Sequence, residues 1–194
     1  MSERKNFGLI AALGGLALLV FIIISWYINT RNGLVSLEEQ VNSAWSEIDN
    51  QLKRRSDLIP NLVATVKGFA SQEKDVFTNI ADARARLAGA ATVEEKAKGD
   101  SEVQSALSRL LVIAENYPEL KSNENFIRLQ DELAGTENRL TVARKRYNDM
   151  VKQFNTKIRQ FPASAIAGSM GFEQKPYFEV GEADKTVPKV DFST

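Results

Sequence analysis

Residues 42–70 read NSAWSEIDNQLKRRSDLIPNLVATVKGFA. The stretch has a helical period and carries more polar features than a plain surface helix needs. Two ladders with seven-residue spacing run through it and onward. One is Trp45, Leu52, Ile59, Val66, Glu73, Ile80 and Leu87; the other is Val41, Ile48, Arg55, Leu62, Phe69, Val76 and Ala83. Together they form a coiled-coil-like seam in which Arg55 and Glu73 are the polar members. The phase survives Pro60, which favours one continuous helix from Leu34 to Leu87, roughly 80 Å long at 1.5 Å per residue, kinked at the proline. The alternative is a break at Ser56-Asp57 with Pro60 in the first turn of a new helix. Such a break avoids the ~3 kcal/mol cost of a proline inside a helix.

Upstream, Phe7 to Ile28 carries no formal charge and ends in Trp26-Tyr27 and Ile28. A run of about 20 apolar residues spans a bilayer core as a helix, and amphipathic rings favour its headgroup border. A cleaved leader would have a shorter core and a small-residue cleavage site, whereas this run ends in bulky side chains. Gly8/Ala12 and Ala11/Gly15 have the small-xxx-small spacing that lets membrane helices approach closely. Arg4 and Lys5 precede the span and Arg31 follows it, so the charge rule leans by one charge toward a cytoplasmic N-terminus.

Downstream, residues 88–100 (AGAATVEEKAKGD) are small and charged, and read as a mobile connection. Ser101 and Gln104 have capping-box spacing, which predicts a helix start there, ending near Tyr117-Pro118. Ser122 or Asn123 caps a further helix with the ladder Phe126, Leu133, Leu140, Tyr147, Phe154 and Phe161, which Pro162 stops. A strict heptad implies left-handed supercoiling against partners. The reading is thus all-α: an N-terminal transmembrane helix, then an antiparallel up-and-down bundle of four helical segments. It divides into a flank (1–6), a transmembrane helix (7–28), a bundle (29–161) and an extended tail (162–194). The tail's aromatics Phe172, Tyr177, Phe178 and Phe192 either dock on the bundle or wait for a partner.

The 194 residues hold 25 basic and 25 acidic side chains, with no Cys and no His. That balance gives no case for nucleic acid. The commonest general base, the commonest transition-metal ligand and all thiol chemistry are missing. No calcium-loop, Glu-x-x-His or phosphate-loop spacing is present. The candidate polar cluster joins Asp49, Arg54, Arg55, Asp57 and Asn61 with Glu124, Asn138, Arg144, Tyr147 and Asn148. Arg55 lies on a core ladder and needs a carboxylate; Glu124, Asp131, Glu132 and Glu137 are the available ones. An ion-pair network that fixes helix register is the reading favoured over a catalytic or ligand site, so no catalytic, cofactor or metal residue is assigned. Arg139, Arg144, Lys145, Arg146, Lys152, Lys157 and Arg159 make the long helix basic toward its end. That suits the helix dipole, and also suits contact with anionic lipid or an acidic partner.

The N-terminal span, residues 32–70, the block 115–162 and the tail segments PYFEV and PKVDF closely resemble the bacterial LemA family of membrane-anchored helical proteins. The resemblance covers nearly the whole chain and is weakest near 88–100. It marks Trp45, Asp49, Arg54, Arg55, Asp57, Pro60 and Asn61, then Tyr117, Pro118, Asn123, Glu124, Phe126, Arg144, Tyr147 and Asn148. It implies a four-helix up-and-down bundle, which favours a break near Pro60. It also implies an external N-terminus and a cytoplasmic domain on the bacterial cell membrane, opposite to the charge count. It implies no agreed activity. The functional expectation is a non-enzymatic, single-pass membrane scaffold or adaptor that organises protein partners or self-associates. A lipid-interacting, membrane-shaping role is the alternative.

Overall fold

The computed structural model describes residues 2–179, with side chains from Leu13 onward. Among these residues there are six helices and no strand: α1 (Ser2–Lys67), α2 (Lys74–Gly89), α3 (Val93–Ala114), α4 (Pro118–Lys121), α5 (Glu124–Arg159) and α6 (Ala163–Ser169). They form two compact units. The first holds 2–42 and 150–175; the second holds 43–149 and 176–179.

In the second unit the chain passes up and down four times. Trp45 meets Tyr147 and Gln51 meets Arg139, so α1 and α5 are antiparallel. Ser56 accepts from Arg84, and Lys67 lies over the Phe77 ring, so α2 runs back along α1. Arg86 pairs with Glu102, which sets α3 antiparallel to α2. The core is the expected seam: Ile48, Leu52, Ile59, Leu62 and Val66 from α1, with Leu110, Phe126 and Leu140, are nearly solvent-free.

Helix α1 runs unbroken through Pro60, as the phase argument prefers, and not with the break that the family resemblance favours. It does not continue to Leu87. The chain reverses between Gly68 and Glu73, where Phe69 and Ala70 close the last turn on the Val66 carbonyl. Residues 88–100 are not a mobile connection. The link is Ala90–Thr92, and Thr92 and Glu95 form a full capping box at the start of α3: the Glu95 N–H donates to the Thr92 hydroxyl, and the Glu95 carboxylate accepts from the Thr92 N–H. These contacts hold the Glu95 carboxyl below its ordinary pKa, with the Ala91 and Thr92 backbone N–H groups as the largest cause. The cap of α3 is therefore Thr92, nine residues before the expected Ser101, and Ala97, Gly99 and Asp100 are buried.

Gly99 is where α2 and α3 touch backbone to backbone. A Cβ there would lie 2.9 Å from the Leu87 Cα and 3.2 Å from its Cβ and N. Those atoms belong to a helix backbone and cannot swing aside. Gly99→Ala is expected to destabilise by about 1–3 kcal/mol through overpacking, read from thermal unfolding; an unchanged melting temperature would show that the two helices are free to separate.

In the first unit, α1 is exposed from Leu13 to Ile28 and becomes a core element at Leu34 and Val41. It is long and apolar enough to cross a membrane. Val151, Phe154 and Ile158 of α5, with Ala163, Ile166 and Ala167 of α6, complete that core. Two expectations need correction here. The stretch from 162 is not extended at its start, because residues 163–169 form α6; beyond α6 the described residues 170–179 lack helix. Phe161 is not a core rung: α5 ends at Arg159, and Phe161 is 88% exposed. The flank Met1, the side chains of Arg4 and Lys5, those of the Gly8/Ala12 and Ala11/Gly15 spacings, and the tail from 180, including Phe192 and the PKVDF segment, lie outside the described residues.

Candidate functional site

The second unit has charges in its core. Arg55 is 4% exposed on α1 and Asp100 is 1% exposed on α3. One Arg55 nitrogen, Nη1, donates to Asp100 Oδ1 at 2.9 Å and to Glu137 Oε2 at 2.7 Å. Arg144 of α5 donates to the other Asp100 oxygen and lies 3.6 Å from Glu137 Oε1. The guanidinium of Arg144 also stands 5.1 Å from the centre of the Phe178 ring. Two cations and two anions thus tie α1, α3 and α5 together, with no net charge. Each arginine keeps its Nε buried without a hydrogen-bond partner among the described residues.

Burial pushes the Asp100 carboxyl above its ordinary pKa. The Arg55 and Arg144 guanidiniums pull it back without cancelling that push, and Glu137 adds to it. Desolvation therefore outweighs attraction at this carboxylate. Both Asp100 oxygens are engaged by guanidinium donors, and neither is a free base. A cavity of about 320 Å³ opens beside Arg55 and Glu137, and Leu62, Leu107, Leu111 and Leu133 give it a largely apolar wall.

A second polar group sits on another side of α1. Asp49 pairs with Lys96 of α3, and Arg84 of α2 donates through Nε to both the Ser56 carbonyl and hydroxyl at 3.1 Å. Lys53 and Asp57 form an exposed pair at 3.2 Å, a type worth at most ~1 kcal/mol.

The tail closes over α5. In the second unit, Tyr147 donates its hydroxyl to the Pro176 carbonyl at 2.9 Å. Asn148 holds both backbone groups of Phe178: its amide donates to the carbonyl at 3.0 Å, and its oxygen accepts the N–H at 2.8 Å. Phe178 is buried against Trp45, whose ring also lies 5.5 Å from that of Tyr147. Burial, then the Glu94 carboxylate, pushes the Tyr147 hydroxyl up to about 12, so it stays a donor. In the first unit, Asn155 holds Lys175 in the same two-bond way, at 2.8 and 2.9 Å, while Lys175 pairs with Glu38 at 2.7 Å. Docking of the tail aromatics is thus seen for Phe178, and for Phe172, which stands edge-on to Phe154.

The residues singled out by sequence therefore separate. Arg55, Arg144 and Glu137 meet in the core; Trp45, Tyr147 and Asn148 meet at the tail. Asp49 joins the Lys96 pair. Arg54, Asp57, Asn61, Glu124 and Asn138 are exposed and join neither cluster. Pro60 is exposed on α1, Phe126 is core, and Asn123 caps α5 by accepting from the Asn125 and Phe126 N–H groups. Asp100, Lys96, Arg84 and Asn155 escaped the sequence reading. The signal for Asp100 was present: it continues the spacing of Ala97, Val103, Leu107 and Leu110, as Arg55 does on its own ladder.

A magnetosome protein MamQ of Magnetospirillum gryphiswaldense is 24% identical over 204 residues, covering 92% of this chain and 74% of that protein. Magnetosome protein MamQ 2 of Paramagnetospirillum magneticum is 24% identical over 181 residues, covering 80% of this chain; the chain spans 66% of that relative's length. Protein LemA of Metamycoplasma hominis is 23% identical over 164 residues, covering 82% of this chain and 73% of that protein. None of these names is that of an enzyme. The model of the LemA family matches residues 44–192, which takes in the buried charge cluster and the tail contacts of the second unit, and the chain belongs to the LemA family.

Proposed function

We propose that this protein is a single-pass, membrane-anchored helical scaffold that organises partner membrane proteins or copies of itself, with no chemistry of its own. The observation that carries it is α1: one helix is lipid-compatible and exposed from Leu13 to Ile28, and core-forming from Leu34 to Val66. The same helix thus carries both the apolar run and residues of the bundle core. The buried charges support the same reading, because both Asp100 oxygens are engaged by guanidinium donors. Crosslinking in native membranes is expected to recover this chain in discrete higher-mass species; recovery of monomer alone would overturn the reading. Orientation follows the family resemblance, with the bundle in the cytoplasm. A single cysteine at exposed Ala91, in a chain without other thiols, would then resist an impermeant maleimide in intact cells.

A lipid-interacting, membrane-shaping role stands beside the first, supported by the exposed Lys145, Arg146, Lys152, Lys157 and Arg159 of α5 and by relatives named as magnetosome proteins. Arg144 does not belong to that surface, since it is part of the core cluster. Charge reversal at Lys145 and Arg146 with Arg144 intact is the informative variant: unchanged binding to anionic vesicles would remove this reading.

A further inference from the structure

Among the described residues of the first unit outside the apolar run, the most exposed large apolar side chain has no explanation inside the fold. Phe161 is 88% exposed, while its neighbours Ile158 and Ala163 are buried. It is not on a loose segment. The Ser164 N–H bonds to the Gln160 carbonyl at 2.9 Å and the Ala165 N–H to that of Pro162 at 3.3 Å, so a tight α5–α6 turn presents the ring outward. A single exposed apolar residue is ordinary and would mean nothing alone.

Its level along the unit gives it meaning. Lys175 bonds to Asn155 of α5 and to Glu38 of α1, so these two residues share a level. From Glu38, α1 runs back to Ile28 over about 15 Å; from Asn155, antiparallel α5 runs about 6 Å to its end at Arg159, two residues before Phe161. Phe161 therefore stops no more than about 9 Å short of the end of the apolar run. The polar layer of a bilayer is about 5–8 Å thick on each side. Phe161 thus stands level with the headgroups, and Trp26 and Tyr27 mark the same border on α1. Arg31 on α1 is an exposed cation about 5 Å beyond the run, and the exposed Arg159 and Lys157 have their backbones about 9 and 12 Å from it, which brings the layer within reach of their long side chains.

We infer that the α5–α6 turn is a lipid-facing wedge, with Phe161 entering the headgroup layer of an anionic bilayer while Arg31, Lys157 and Arg159 meet lipid phosphates. This rests on the reading of residues 7–28 as a membrane span. The aromatic ring suits the interface, where rings are favoured, and the cations suit the negative surface.

The chain has no cysteine, so single nitroxide labels are straightforward to place. Full-length protein is reconstituted in phosphatidylcholine–phosphatidylglycerol vesicles with a label at Phe161→Cys, at Ile24→Cys within the span, or at exposed Val142→Cys. Accessibility to oxygen and to a water-soluble nickel complex is then measured. The expected order of nickel accessibility is Ile24 lowest, Phe161 several-fold below Val142, and Val142 highest; omitting phosphatidylglycerol should shift the Phe161 label toward water. A Phe161 label as nickel-accessible as Val142, with Ile24 protected, overturns the wedge and leaves the span standing. An unprotected Ile24 label overturns both. Spin–spin broadening at Phe161 would assign the ring to a second copy of the chain, and the lipid assignment would fall.

Discussion

Arg55→Met is expected to destabilise the bundle by about 3–5 kcal/mol at neutral pH, because it leaves the Asp100 carboxylate buried with one of its two cations gone. Circular dichroism of the full chain in micelles should show a fall in melting temperature on the order of 10 °C. The pH dependence identifies the cause. Burial already holds the Asp100 carboxyl above its ordinary pKa, and Arg55 is the larger of the two groups pulling it down. Without Arg55 it rises further. A raised folded-state pKa means that folding is weakened when the group is charged, so the penalty is full above that pKa and shrinks as pH falls through it. The gap between Arg55→Met and the parent should therefore narrow on acidification. A gap that widens would show that the lost interaction is ordinary packing of the arginine stem. Asp100→Asn should cost less than Arg55→Met, since the neutral form is the one that burial favours. Replacing Arg55, Asp100 and Arg144 together by apolar residues, with Glu137→Gln, should leave stability near the parent's and loosen the pairing of α1, α3 and α5. That outcome would separate a device for register from a device for stability.

The fold was largely legible because the seam is made of repeats that a helix cannot hide. Val41, Ile48, Leu52, Ile59, Leu62 and Val66 all lie where the seven-residue count puts them. The same count misled where helices end. Ile80 and Leu87 continue the ladder of Val66 only by coincidence of loop length, so the reversal at Gly68–Glu73 was masked, although a glycine just past the last periodic residue is a stop signal. Phe161 keeps the count after α5 has already ended at Arg159, so its number predicts a core position that its backbone does not supply. The candidate site was half legible. A cation on a core ladder announces that an anion must exist, and Glu137 was among those considered. Asp100 is hidden because the composition of residues 88–100, small and charged, resembles that of a loop. The Thr92/Glu95 capping spacing outweighs that composition, since it supplies donors and acceptors for the first turn of α3. The tail contacts had a fainter signal still: Asn148 and Asn155 are one heptad apart, and their partners Phe178 and Lys175 are three residues apart, each an interval of roughly 10 Å in its own geometry.

Pro60→Ala is expected to stabilise the protein by up to about 3 kcal/mol, and the sign is the informative part. A proline inside α1 removes the N–H that would bond to the Ser56 carbonyl. In this structure that carbonyl is not orphaned: the Arg84 Nε of α2 takes it at 3.1 Å, together with the Ser56 hydroxyl. The proline thus converts an intrahelical acceptor into a contact between helices. Two mutations in a cycle test this account. In the parent, Arg84→Met should cost about 1–3 kcal/mol, since it leaves a part-buried carbonyl without a donor. In Pro60→Ala, the residue-60 N–H again serves that carbonyl, so the same Arg84→Met should cost markedly less. The predicted coupling is therefore of order 1 kcal/mol, well above the scatter for independent sites. Additivity within a few tenths of a kcal/mol would mean that Arg84 and Pro60 are neighbours without being partners. If the coupling is found, the persistence of a residue that weakens its own helix has a structural reason: α1 gives up one internal bond at Pro60, and α2 is held against it by the acceptor that is released.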